Sequence, residues 1–279
     1  MKKEQGKRKF HIGDFLGMGL LYILTIGFIF PFYWVVTGGF KSQKITVQLP
    51  PQWFPTQPTI ENYIKLFKNP AWTWFYNSVV ISLGTMILVC IVSSLAGYVL
   101  AKKRFYGQKV LFGMFVAAMA LPKQVVLVPL VRLISAWGFH NTLAAVILPA
   151  VGWPFGVFLM KQFSETLPNE LLEAAKIDGS GELGTFIKIV IPIIKPGIAA
   201  LAIFTFITAW NDYFLQLIML NTKIKLTLPL GVATMQQEFA TNYGVLMAGA
   251  TFAAIPILIV FLAFQKHFAQ GITMGAVKG

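Results

Sequence analysis

The sequence predicts an all-α polytopic membrane protein with six transmembrane helices and both termini cytoplasmic. Three observations carry that expectation. Only 12% of the 279 residues are charged and 56% are apolar, whereas a soluble domain carries about 25% charged residues. The apolar residues collect in long uncharged runs that reach or exceed the ~20 residues a span needs. With six spans and the N-terminus inside, 15 of the 23 Lys and Arg residues fall on inside segments and 8 outside, the bias that orients membrane proteins.

Residues 1–14 form a basic cytoplasmic tail with Lys2, Lys3, Lys7, Arg8 and Lys9. Phe15 to Phe40 holds the first span. Its apolar part is too long for a signal peptide and no small-residue cleavage site follows, so a retained anchor is expected. Residues 41–70 read as a proline-rich loop (Pro50, Pro51, Pro55, Pro58, Pro70). Within it Thr59 can cap a short helix whose Ile60, Tyr63, Ile64 and Phe67 share one stripe packed on the bundle, or alternatively meet an external partner.

Ala71 to Ala101 is the second span, opening on an interfacial aromatic cluster (Trp72, Trp74, Phe75, Tyr76) and closed by Lys102, Lys103, Arg104 and Lys109. Val110 to Val131 is the third, interrupted by Pro122 and Lys123. A charge there belongs in the bundle interior, a polar cavity or the interface. Leu133 to Met160 holds the fourth, starting after His140, where Asn141 or Thr142 can cap; Trp137 and Trp153 read as membrane-belt aromatics. Pro196 to about Leu220 is the fifth, containing Trp210, Asn211 and Asp212. Residues 221–243 read as an outward polar loop with Thr227, Gln236, Gln237, Glu238 and Asn242, too poor in apolar residues to fold alone. Tyr243 or Gly244 to about Gln265 is the sixth. The chain is read as one domain, 1–279, with 71–267 as its core.

Several chemistries are excluded. The single cysteine, Cys90, cannot form an internal disulfide, and His11, His140 and His267 have no ligand spacing. Without HExxH, C-x-x-C, GxSxG or a GxxxxGK[ST] phosphate loop, the chain carries no recognisable catalytic or metal site and cannot hold ATP in a P-loop. No cofactor is expected on it. The net charge of +13 is explained by cytoplasmic loops rather than nucleic acid.

The segment 161–195 separates the fourth and fifth spans. Pro168 suits a first helical position, Glu170 to Lys176 are good helix formers, and Gly179 offers a left-handed stop. Ser180 is a plausible N-cap for a second helix with Phe186, Ile189 and Val190 on one face. Pro192 and Pro196 are expected to stop it short of the next span. The unit is a helix, a glycine elbow and a second helix.

Glu173, Ala174, Ala175, Gly179, Ile189 and Pro192 fall at the spacing EAA-x3-G-x9-I-x-L-P, with Ile191 in place of Leu. That pattern resembles the permease subunits of ATP-driven (ABC) importers. Ile177-Asp178-Gly179, the run from Phe204 to Asp212 and the C-terminal GAVKG are similar to the maltose-type, carbohydrate-uptake branch, specifically the shorter of its two permease subunits. The resemblance implies import of a sugar by alternating access in the cytoplasmic membrane of a prokaryote. It implies as partners a second, non-identical permease, an ATPase dimer carrying ATP and Mg, an extracytoplasmic solute-binding protein and membrane lipid. It implies that the helix bearing Glu173 docks on the ATPase, with Ala174 and Ala175 small for close approach and Asp178 and Gly179 at the elbow. The loop 221–243 would reach the solute-binding protein, and Gly271 to Gly279 the ATPase.

Trp210, Asn211, Asp212 and Lys123 are the substrate-pathway candidates, since ring faces with amide or carboxylate groups hold sugars. For Asp212 and its neighbours an interfacial tryptophan and a helix-end acid is the equal alternative. The competing function is an ion-coupled carrier working without an ATPase. It would want acids or histidines within the spans, where Asp212 alone is expected.

Overall fold

A computed structural model describes residues 12–236 and 241–276 of the chain. These fall into two compact units: residues up to Lys68 with Met235–Phe252, and Asn69–Thr234 with the residues from Ala253 onward.

In the first unit, α1 (Ile12–Gly39) is followed by a short α2 (Gln43–Thr46) and α3 (Glu61–Phe67). The Asn62 amide donates to the Gly39 and Lys41 carbonyls at 3.0 and 2.7 Å, which satisfies acceptors that the end of α1 leaves open. Lys41 is buried, donates to the Gln52 carbonyl at 2.6 Å and lies 4.3 Å from the Trp34 ring centre. The loop is therefore pinned, not loose. Thr59 Oγ1 accepts from the Glu61 amide, but Ile60 and not Thr59 stands at the N-cap of α3. The expected stripe holds only in part: α3 buries Asn62 and Leu66 and leaves Ile60 and Ile64 exposed, while Tyr63 packs on Phe40 and Phe67 on Phe252. A polar residue that caps two carbonyls outcompetes an apolar one for the inner face.

The second unit is organised on α4 (Ala71–Lys102). Around it lie α5 (Gln108–Met119), α6 (Lys123–Ala136), α7 (Leu143–Val151) and α8 (Pro154–Glu165). Then come α9 (Asn169–Ile177), α10 (Glu182–Thr185), α11 (Ile191–Trp210), α12 (Tyr213–Met219) and α13 (Leu228–Ala233). The last helix, α14 (Tyr243–Ala276), contributes to both units. Small residues let α4 and α8 approach: Ser93 faces Gly156, and a Cβ at Gly97 would stand 2.6 Å from the Lys161 backbone nitrogen. Lipid offers no hydrophobic drive between helices, so such close packing supplies the cohesion.

Among the described residues four helices are long and apolar enough to cross a membrane, and up to six if two bent pairs each count as one span. The expected third span is more than kinked: α5 and α6 meet at 106° around Pro122, and α7 and α8 at 43°. The fifth ends at Trp210, ten residues before the expected limit. The aromatic cluster on α4 is split, with Trp72 and Tyr76 exposed but Trp74 fully buried.

The stop expected at Pro192 and Pro196 is absent. The helix runs from Glu182 to Trp210 through one π-helical turn, Phe186–Val190. The wider turn re-phases the ladder ahead of Pro192, so the helix passes the proline without a stop. The tail from Gly271 is helical to Ala276; Gln237, Glu238 and residues 277–279 lie outside the described residues.

Candidate functional site

Two places in the second unit bring chemistry-bearing residues together. The first is the segment between α8 and α11. Pro168 precedes α9, which ends in a Schellman turn: Ser180 N–H donates to the Ala175 carbonyl at 2.9 Å and Gly179 N–H to Lys176 at 3.1 Å. Gly179 has φ +73°, a conformation that costs an L-residue about 1–2 kcal/mol. Ser180 does not cap the second helix. Gly181 takes that position, and the Ser180 hydroxyl accepts from Thr185.

One side of this segment is anchored. Leu167, Phe186 and Val190 join Tyr98, Met160 and Ile194 in a buried cluster, with Leu172 against it. Lys102, at the end of α4, donates to the Leu167 carbonyl (2.5 Å), Asn169 Oδ1 (3.1 Å) and the Glu165 carbonyl (3.3 Å). Lys103 reaches both Glu182 carboxylate oxygens at 2.6 Å, and that bond holds its ammonium above the usual lysine range. The other side is open: Glu173, Ala174, Asp178 and Gly179 are exposed, and Ile177 is 87% exposed. Ala175 departs from expectation, turned inward at 4% exposure. Ile189 is half-buried and Pro192 exposed on the continuing helix.

The second place is a cavity of about 430 Å³. Three helix breaks open onto it: Leu121 to Lys123, Gly152 to Pro154, and Asp212. Each break has a local cause. Proline disfavours helix in the residue before it, so Leu121 and Trp153 end their turns. Asp212 leaves α11, and its carboxylate accepts from the Leu215 amide to start α12. Irregular backbone at membrane depth is tolerated where it lines a cavity.

Lys123 Nζ lies 2.8 Å from the centre of the Trp153 ring. A smaller inner pocket shares Ala150, Trp153 and Asp212 with the cavity and adds Thr85, Thr205 and Thr208. Among the described residues the buried Thr85 hydroxyl has no hydrogen-bond partner.

The four pathway candidates thus separate. Lys123 and Asp212 line the cavity. Trp210 is buried elsewhere, stacked on Phe206, with its indole N–H on the Ala253 carbonyl at 3.2 Å. Asn211 donates to the Ile207 carbonyl at 3.0 Å and is exposed. Asp212 stands at a break between two helices and caps the second of them.

Sequence reasoning missed the grip of Lys102 and Lys103, read only as orienting charge. It also missed Trp153; the flanking Gly152 and Pro154 were the available signal of a break. The 221–243 loop is corrected as well. Thr227, Leu228 and Leu230 are fully or almost fully buried. The segment is held by the Trp74 indole on the Lys223 carbonyl (2.7 Å), by Asn77 on the Ile224 and Leu226 carbonyls (both 2.9 Å) and by Ser78 on the Leu228 amide (2.8 Å).

Residues 93–274 match the family described as binding-protein-dependent transport system inner membrane component. An arabinooligosaccharides transport system permease protein of Halalkalibacterium halodurans is 36% identical over 271 residues, covering 93% of this chain and 97% of that protein. A diacetylchitobiose uptake system permease protein of Streptomyces coelicolor is 31% identical over 260 residues, covering 92% and 94%. A solved bacterial ABC transporter involved in the import of the acidic polysaccharide alginate has a chain with TM-score 0.82 and 20% identity, covering 94% of this chain and 100% of its own. At that identity the likeness is one of fold.

Proposed function

The chain belongs to the binding-protein-dependent transport system inner membrane components, and from that premise we propose that it is the membrane subunit through which an ATP-driven importer passes a sugar or oligosaccharide. It is a transport permease, as its relatives are named, not an enzyme. The reading has both termini and the Glu173 segment on the cytoplasmic face of a prokaryotic inner membrane, in a single permease domain. A second, non-identical permease completes the pathway, an ATPase dimer supplies ATP and Mg chemistry, and a solute-binding protein delivers the sugar outside.

The observation that carries the coupling role is the open face of α9. Glu173, Ala174 and Ile177 lie at helical spacing on one side, and an aliphatic side chain 87% exposed outside any span is a docking feature in search of a groove. The opposite side is fixed to α4 and α11, so force applied at α9 reaches the spans. ATP binding would draw the ATPase subunits together, and the spans would alternate between two arrangements about the cavity.

Glu173→Lys tests this. The variant inserts normally but loses the ATPase in a pull-down and loses ATP-driven uptake; undiminished ATPase capture counts against the joint. The ion-coupled alternative has weaker support, because among the described residues Asp212 is the one acid lining the cavity, and its carboxylate is engaged in capping α12. Uptake by this chain alone, driven by an ion gradient without ATP, would establish it.

A further inference from the structure

The cavity that the transport reading assigns to substrate already has an occupant. Sugar rings bind proteins by laying their C–H face on an aromatic ring, and Trp153 is the indole that lines this space. The Lys123 ammonium stands over that ring, 2.8 Å from its centre. A cation–π contact and a stacked sugar cannot share one face. Among the described residues Lys123 makes no ion pair, although Asp212 lines the same cavity. The displaced ammonium therefore has a carboxylate to move toward, and uncovering the ring exchanges one charge-stabilising contact for another.

We propose that Lys123 is a tethered placeholder on the Trp153 face, displaced toward Asp212 when a neutral sugar ring binds. The charge inventory favours a neutral ligand: one lysine and one aspartate cancel, and an anionic sugar meets Asp212. A site that covers itself binds sugar weakly, which suits a pathway that must release its cargo as readily as accept it. Trp153, Ala150 and Asp212 also border the inner threonine-lined pocket, so the same exchange opens toward the Thr85 hydroxyl, which has no partner among the described residues. The proposal rests on the reading that this cavity lies on the sugar path.

The test uses the assembled importer in nanodiscs, with arabinotriose and diacetylchitobiose as neutral probes and digalacturonate as the acidic one. Lys123→Met should tighten neutral-probe binding by up to about tenfold, the ceiling set by one cation–π contact with no return from Asp212, and should not improve digalacturonate. Trp153→Leu should abolish the gain in the double variant. If Lys123→Met weakens or leaves unchanged the binding of the neutral probes while Trp153→Leu still weakens it, Lys123 is an ordinary ligand or bystander and the placeholder is overturned with the cavity reading intact. If Trp153→Leu and Asp212→Asn both leave binding and uptake unchanged, the cavity reading itself falls. Where no probe binds either protein, acrylamide quenching of the Trp153 emission, isolated by subtracting Trp153→Phe, decides. It should increase in Lys123→Met, and an unchanged slope overturns the proposal.

Discussion

The connections on the two sides of α11 face opposite ways. The one before it, residues 166–190, is clamped along its inner edge by Lys102, Lys103 and a buried cluster, and turns Glu173, Ala174 and Ile177 outward. The one after it, residues 211–234, turns inward. Thr227, Leu228 and Leu230 are buried, and Trp74, Asn77 and Ser78 of α4 take up its backbone groups. Both connections carry proline, glycine and polar residues. Their roles differ by where the backbone hydrogen bonds go. A segment whose backbone is taken up along its length by a neighbouring helix is part of the wall, whereas one held only at its inner edge, with an outer face left uncovered, is free to meet another chain.

That contrast breaks if inward variants disturb ATPase binding or outward ones disturb folding. The largest effect is expected at the inward connection. Trp74→Ala removes a fully buried ring and the donor to Lys223, and should destabilise the purified complex by about 3–5 kcal/mol, read as a lower melting temperature with ATPase affinity retained in what remains folded. Gly231→Ala should act in the same direction, since a Cβ there collides with the Trp74 ring. A melting temperature equal to the parent's would show that the segment is not packed on α4.

Gly179→Ala comes next. It forces an L-residue to φ +73°, a strain of about 1–2 kcal/mol confined to the elbow. The melting temperature should barely move, while ATPase capture and coupled uptake fall together. A full loss of folding, or no change in coupling, would erase the distinction between the two connections.

The smallest effect belongs to the Lys103–Glu182 pair. Both side chains are partly exposed, so Lys103→Gln should cost less than about 1 kcal/mol. Its pH dependence has a definite sign. The folded Lys103 ammonium is held above its ordinary value of 10.5, so the bond's contribution is complete below that value and fades only as alkaline pH passes the raised one. A stability difference between Lys103→Gln and the parent that vanished near neutral pH would place the origin elsewhere.

The sequence is most readable where neighbours in the chain are neighbours in space. The α9 helix, its stop at Gly179 and the long apolar spans are local events, and each follows from a few adjacent residues. The cavity is not local. Pro122, Gly152 to Pro154 and Asp212 each signal a break, but nothing along the chain says that the three breaks meet. Trp153 therefore reads as a belt aromatic, and Asp212 as a charge within a span. The inward connection was obscured in another way. Its lysines and threonines dominate the average, while Leu226, Leu228 and Leu230, all buried, alternate in a pattern that a residue-by-residue reading could have noticed. Pro192 misled because a proline normally ends a helix, and one wide turn is enough to accommodate it.

The uninterrupted helix from Glu182 to Trp210 has a mechanical consequence. Twenty-nine residues at 1.5 Å each make a strut of roughly 40 Å. Its foot is tied to α4 through Lys103, and its head hands the chain to Asp212 at the cavity rim. A tilt of a few degrees at the foot would swing that carboxylate by ångströms, a distance comparable to the gap an ammonium must cross to leave a ring. Had the two prolines broken the helix, the motion would have dissipated at a hinge; kept in one piece, the strut delivers it to the rim.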